Sequence, residues 1–336
     1  MINSVGITGI LLYSLTYFGG GIHLYSGKYI LLAISYTTSF IYLAVSLWSL
    51  VKEGSKTTIE NTYLTIVNTL VVLGVTTQIV PTIYQSLTIA CWMLVYIVSG
   101  FLVFAKTKNE KLFYIHSLVA VLLLGIATSI ELKGPTLVIA FAIEAAIISL
   151  VTYIVTESSK TSQNMFYLML LPGILSLRSL DSYKWVSGVF HSDFAVLFVV
   201  GLVFAILGLF YKKIHKSSSN EQGLSGVSFI LSTFYLYALI WLSTHSVLYS
   251  KDTAVFLSLF VYTVVGLVTH FRGIFSQNSL LKNYGTVLLV CVVLRLLFVD
   301  IWNMALPLRV VTFIVLGVLF MSTAFISKKQ KSVEQN

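Results

Sequence analysis

Two charged residues stand inside long apolar runs, and a third stands at the edge of one: Glu144, Arg295 and Asp300. A charge near the centre of a bilayer costs at least ~2.5 kcal/mol, so each must face protein or water and find a partner. A carboxylate and a guanidinium buried this way can bind an anionic or amphipathic substrate, or couple its movement to protons. They can also form a structural ion pair that fixes helix register. The sharpest expectation is a Glu144–Arg295 pair. Asp300 lies five residues beyond Arg295, about 140° around an ideal helix, so Arg309 is its expected partner.

A second group gathers on one side of the expected topology: His23, His191 and His245, with Glu131, Asp193 and Asp252. Imidazoles and carboxylates together suit proton shuttling or a divalent metal. They come from separate tips and loops, however, and no two show the i, i+4 spacing of a helical metal motif. No metal site and no cofactor are therefore expected. Nor does the chain contain GxSxG, HExxH, a P-loop or a dinucleotide fingerprint, which weighs against an enzyme. Cys91 and Cys291 each sit in an apolar run without CxxC spacing, which argues against a structural disulfide or zinc.

These residues must be positioned by membrane-spanning helices. The chain has 336 residues, 57% hydrophobic and only 10% charged, with a mean hydropathy of +0.92. Apolar runs of about twenty residues, enough to cross ~30 Å of hydrocarbon as helix, follow one another almost without a break. About twelve spans are expected, near 5–25, 28–51, 62–81, 83–105, 112–130, 135–156, 164–180, 193–212, 226–248, 252–271, 284–302 and 304–327. The seventh is the weakest, because Pro172, Gly173 and Arg178 interrupt it. The expected fold is all-α and integral to the membrane. One polytopic domain covers 1–327, with a boundary near 157–165, and a short basic tail covers 328–336.

The net charge of +9 lies in the connections, not on a nucleic-acid face. Under this topology Lys28, Lys133, Arg178, Lys184, Lys251 and Arg309 fall on one side. A much larger basic set, from Lys52 to Lys331, falls with both termini, so the termini should be cytoplasmic. Several connections on the opposite side are only a few residues long, which predicts helical hairpins with tight outer tips. Tyr96-Ile-Val-Ser-Gly100 matches Tyr262-Thr-Val-Val-Gly266, and Leu24-Tyr25-Ser26 matches Leu248-Tyr249-Ser250, as a parallel internal repeat would. A stripe of Ala142, Ala145, Ala146 and Ser149 suits close helix packing, with Glu144 on the opposite face. The longest outer connection, about Leu180 to Ser192, mixes Asp181, Lys184, Trp185, Phe190 and His191, and suits either a membrane-surface segment or a lid.

Near the C-terminus, Lys282-Asn-Tyr-Gly285, Arg295-Leu-Leu-Phe298-Val-Asp300 and Leu308-Arg309-Val-Val-Thr-Phe313-Ile-Val-Leu-Gly317 follow in order. Leu132-Lys-Gly134 precedes Ala140-Phe-Ala-Ile-Glu144-Ala145. These segments, about a third of the chain, resemble the bacterial multipass membrane family catalogued as domain of unknown function 2339. Arg295 stands where that family more often has lysine. The resemblance implies that Glu144, Arg295 and Asp300 are family positions, and that the protein resides in the bacterial cytoplasmic membrane. It implies no reaction, substrate or cofactor.

Three functions are weighed. The leading one is a transporter or lipid-handling protein with a polar site at Glu144, Arg295 and Asp300. The second is a non-catalytic scaffold that binds cell-envelope proteins. The third is a transferase acting on a lipid-linked substrate through Asp181, His191 and Asp193. The expected partners are the bilayer, a lipid or small-molecule substrate, and envelope proteins, with no nucleic acid.

Overall fold

The computed structural model describes residues 27–53, 58–108, 110–157, 159–214, 222–277, 279–300, 302 and 304–334, and every regular element among them is helical. The expected first span, its hairpin tip and His23 lie outside the described residues. The chain divides into two compact units at Pro172/Gly173.

In the first unit, α1 (Gly27–Glu53), α2 (Thr58–Ile79), α3 (Thr82–Thr107), α4 (Glu110–Glu131) and α5 (Pro135–Thr156) are long helices. A short α6 (Ser159–Phe166) follows. Prolines place two of the starts. Pro81 caps α3 at φ −54°, and Pro135 opens α5 behind Gly134, whose φ of +61° suits a residue without Cβ. The seventh apolar run does not form one long helix. It breaks into a 3-10 turn (Tyr167–Met169), α7 (Leu170–Ser176) and two further 3-10 turns (Leu177–Asp181, Tyr183–Val186). Pro172 removes a backbone donor there, as its place in the sequence predicts.

The second unit holds α8 (Ser192–Ile214), α9 (Gln222–Val247), α10 (Lys251–Phe275), α11 (Ser279–Arg295) and α12 (Leu306–Glu334). The last turn of α11, Leu296–Asp300, is a π-helix. Among the described residues nine helices are long and apolar enough to cross a membrane, and a shorter apolar helix covers Leu306–Leu319. Exposed Ile, Leu, Val and Phe side chains cover their outer faces, as a lipid solvent requires. This is a helical, multipass membrane architecture.

The packing pairs differ from hairpins joined at the tight tips. Helices α1/α2, α3/α4, α8/α9 and α10/α11 lie against each other extensively, although their connections are mostly the longer, basic ones. The helices joined at Pro81, at 132–134 and at 248–250 touch far less. Apolar side chains gain little by leaving lipid for one another, so close backbone approach decides the pairs. Between α10 and α11 it is extreme. A Cβ on Gly273 would collide with the backbone of Lys282, and one on Gly285 with the backbone of His270.

The two matched pentapeptides do similar work in their own units. Tyr96 (α3) is fully buried, and its hydroxyl meets Asn68 and Thr69 of α2. Tyr262 (α10) is also buried, and its hydroxyl donates to the Tyr237 carbonyl of α9 at 2.7 Å. Gly100 and Gly266 each lie against the following helix, at His116 and Leu289. In both cases the tyrosine ties the preceding helix and the glycine admits the next.

Asn68 Nδ2 donates to the Ser39 carbonyl at 3.1 Å and to Tyr96 Oη at 3.3 Å, and Thr69 Oγ1 donates to Tyr96 Oη at 2.9 Å. The Asn68 amide therefore bridges α1 and α3, and the Tyr96 phenol ties α3 to α2. Tyr96→Phe is expected to lower stability by about 1–2 kcal/mol, since two buried donors lose an acceptor. Thermal unfolding in detergent checks this, and an unchanged midpoint would place the joint elsewhere.

Candidate functional site

The site is built at one end of the second unit. Helices α8 to α11 succeed one another antiparallel, so the start of α8, the end of α9, the start of α10 and the end of α11 share that end. The Asp252 carboxylate at the start of α10 accepts the Ala305 N–H at 2.9 Å, which brings the start of α12 to the same level.

Here Arg295 Nε donates to Asp300 Oδ2 at 3.2 Å. The expectation that Asp300 would pair with Arg309 is overturned. An ideal α-helix would separate Arg295 and Asp300 by about 140°. The π-turn over Leu296–Asp300 closes i→i+5 bonds and places residues five apart nearly one above the other. Arg309 instead donates from Nη2 to the Met304 carbonyl at 2.9 Å, and its buried Nε has no hydrogen-bond partner among the described residues. The Asp300 side chain is 5% exposed and that of Arg295 33%.

The guanidinium carbon of Arg295 lies over the Trp241 ring, 3.7 Å from its centroid. The His245 ring packs against the same tryptophan, tilted by 37° with centroids 3.9 Å apart, and bonds the Trp241 carbonyl through Nδ1 at 2.9 Å. Tyr237 and Tyr262 stack at 4.3 Å, and the buried Tyr237 hydroxyl has no hydrogen-bond partner among the described residues. Arg295 thus spends Nε on Asp300 and one face on Trp241. Its two Nη groups carry no hydrogen bond among the described residues, and the side chain as a whole is a third exposed. That is a planar fork suited to a phosphate or carboxylate.

Glu144 belongs to the first unit. The small residues of α5 are buried, and Ser149 and Ser162 bond each other's carbonyls at 3.1 and 2.8 Å, joining that face to α6. On the other side Glu144 Oε1 accepts from Thr128 Oγ1 of α4 at 2.6 Å. The sequence finds the stripe and the need for a second neighbour. It does not find that a threonine hydroxyl would meet the carboxylate. Within their own units Glu144 is partnered by Thr128 and Arg295 by Asp300. Glu131 at the end of α4 is held by the Ser86 hydroxyl of α3.

The outer-face candidates form a closed knot. Asp193 accepts from Ser179 at 3.0 Å and Ser182 at 2.9 Å, and lies 3.3 Å from Lys184 Nζ. His191 Nδ1 accepts the N–H groups of Asp193 at 3.2 Å and Phe194 at 3.4 Å, capping α8. The proton therefore belongs on Nε2, which is buried beside Trp185 and has no hydrogen-bond partner among the described residues. Asp181 is exposed and makes none of these contacts. Capping occupies the groups that a transferase would need free. Among the described residues no His, Cys, Asp and Glu cluster could hold a metal.

Sequence reasoning missed Trp241 and Tyr237, whose only signal is recurrence of aromatics on one face of α9, and singled out Tyr262 only as part of a repeat. Compared with known proteins, the chain matches no family model, no curated protein and no solved structure.

Proposed function

We propose that this protein is a multipass transporter or lipid-handling protein that takes up the anionic headgroup of an amphiphile at Arg295. The observation that carries this reading is the guanidinium held between Asp300 and Trp241 with both Nη groups available. The site sits a turn or so below the end of its span, at the depth where headgroups meet acyl chains. The stacked tyrosines beside it offer an apolar wall for the first part of a chain. Glu144, bonded to a hydroxyl in mid-span, is a separate polar group of the first unit.

The wider setting belongs to the same proposal. The chain crosses the bacterial cytoplasmic membrane about twelve times with both termini inside, and the excess of Lys and Arg in the connections on that side supports this. The shared roles of Tyr96/Gly100 and Tyr262/Gly266 support duplication of a helical unit. Kinship with the family catalogued as domain of unknown function 2339 rests on the C-terminal motifs.

Proteoliposomes carrying a fluorescent phosphatidylglycerol, bleached from outside with dithionite, test the function. Wild-type protein should speed movement between leaflets and retain anionic lipid through purification, detected by native mass spectrometry. Arg295→Gln should weaken that retention by about 10- to 100-fold, the worth of one or two charge-assisted hydrogen bonds. A wild-type protein that neither moves nor retains lipid would leave the scaffold reading standing.

A further inference from the structure

The connection from Ser182 to His191 is rigid on one side and bare on the other. Its inner side is fixed by Trp185, which is buried and donates Nε1 to the Ser179 carbonyl at 2.9 Å. Lys184 Nζ adds a bond to Ser192 Oγ at 2.8 Å, beside the Asp193 knot. Its outer side presents Tyr183 at 83%, Val186 at 90% and Phe190 at 92% exposure. With Trp185 and Asp193 locked, these three cannot turn inward. A loop in water has no reason to hold large apolar groups outward on so stiff a frame.

Their surroundings name the occupant. The Phe190 ring packs edge-on to Phe194 at 5.4 Å, and Phe194 stacks with Phe198 at 6.2 Å. Residues 190, 194 and 198 form one i, i+4 stripe that runs from the loop down α8, and Phe198 is exposed on the lipid-facing side of that span. Tyr249, at the tip between α9 and α10, and Trp302, just beyond α11, are also exposed at this end of the unit. Aromatic rings collected at one level are the mark of a membrane–water interface.

We infer that the 182–191 connection is a membrane-interface foot: Tyr183, Val186 and Phe190 insert into the headgroup–acyl boundary of the bilayer that α8 crosses. The foot sets the depth of the start of α8. It is neither an aqueous lid nor a docking face for a soluble protein. The inference stands on the loop and its aromatic stripe, and is independent of what Arg295 binds.

Nitroxide labels at Tyr183→Cys, Val186→Cys and Phe190→Cys test it. The background carries Cys91→Ser and Cys291→Ser, and the protein is reconstituted in phosphatidylcholine vesicles. Collision with oxygen should dominate at all three, and collision with a water-soluble nickel chelate should be several-fold lower than at Gln277→Cys in the connection at the other end of the unit. A Phe198→Cys label in the same background should report lipid and so verify the fold. Nickel accessibility at Tyr183, Val186 and Phe190 equal to that at Gln277, with Phe198 still in lipid, would overturn the foot and return the loop to water.

Discussion

Gly285→Val is expected to prevent α10 and α11 from packing and to abolish the monodisperse folded protein. A Cβ at this position falls on the His270 backbone of α10, and two β-branch methyls extend the clash. Side chains can swing away from an added methyl, but backbone cannot, so the two helices must separate along their length. Overpacking that side chains can absorb costs about 1–3 kcal/mol, and this substitution should exceed that range. Gly273→Val meets the Lys282 backbone in the same interface and should behave alike. Gly74→Ala is the control, since nothing lies within 4 Å of a Cβ there. It should leave stability unchanged or raise it by about 0.5–1 kcal/mol through helix propensity. Thermal size-exclusion profiles in detergent check all three. A Gly285→Val protein as stable as wild type would mean that α10 and α11 are not in backbone contact.

Asp300→Asn and Arg295→Gln should separate stability from ligand binding in opposite directions. The Asp300 side chain is almost fully buried, and Arg295 is its only ion-pair partner among the described residues. Removing one member of a buried pair costs roughly 3–5 kcal/mol, because the other charge stays uncompensated. Arg295 is a third exposed and rests on Trp241, so Asp300→Asn should fall lower, at about 2–4 kcal/mol. In that variant Nε is released and the whole fork faces outward, so retention of anionic lipid should rise several-fold. Arg295→Gln should lose that retention. The Arg295→Gln/Asp300→Asn double variant should recover much of the stability lost by either single change, since no lone charge remains. Recovery of stability with no change in lipid retention in any variant would make the pair purely structural.

The sequence by itself determined the solvent and the secondary structure. Apolar runs of about twenty residues in lipid have helix as their only open-chain solution, so the described spans from 28 to 300 fall close to their expected places. The break in the seventh run was also legible, because Pro172 acts within its own turn. The Ala142/Ala146 face and the need of Glu144 for another neighbour followed from helical periodicity alone.

Partners were another matter. One π-turn moved Asp300 from the far side of α11 to the edge of Arg295, and no local signal in Leu296–Asp300 announces it. Asp193 and His191 stood among the candidate groups of a transferase in the sequence, and the fold uses them to close a loop and cap α8. The short tips implied one set of hairpins, while backbone contact at Gly273 and Gly285 selected another. The physical reason is common to all three. In a membrane every apolar face is at home against lipid, so hydrophobicity fixes that a helix spans but not which helix it meets. Steric fit at glycines and the pairing of a few polar groups make that choice, and both act between residues far apart in the chain.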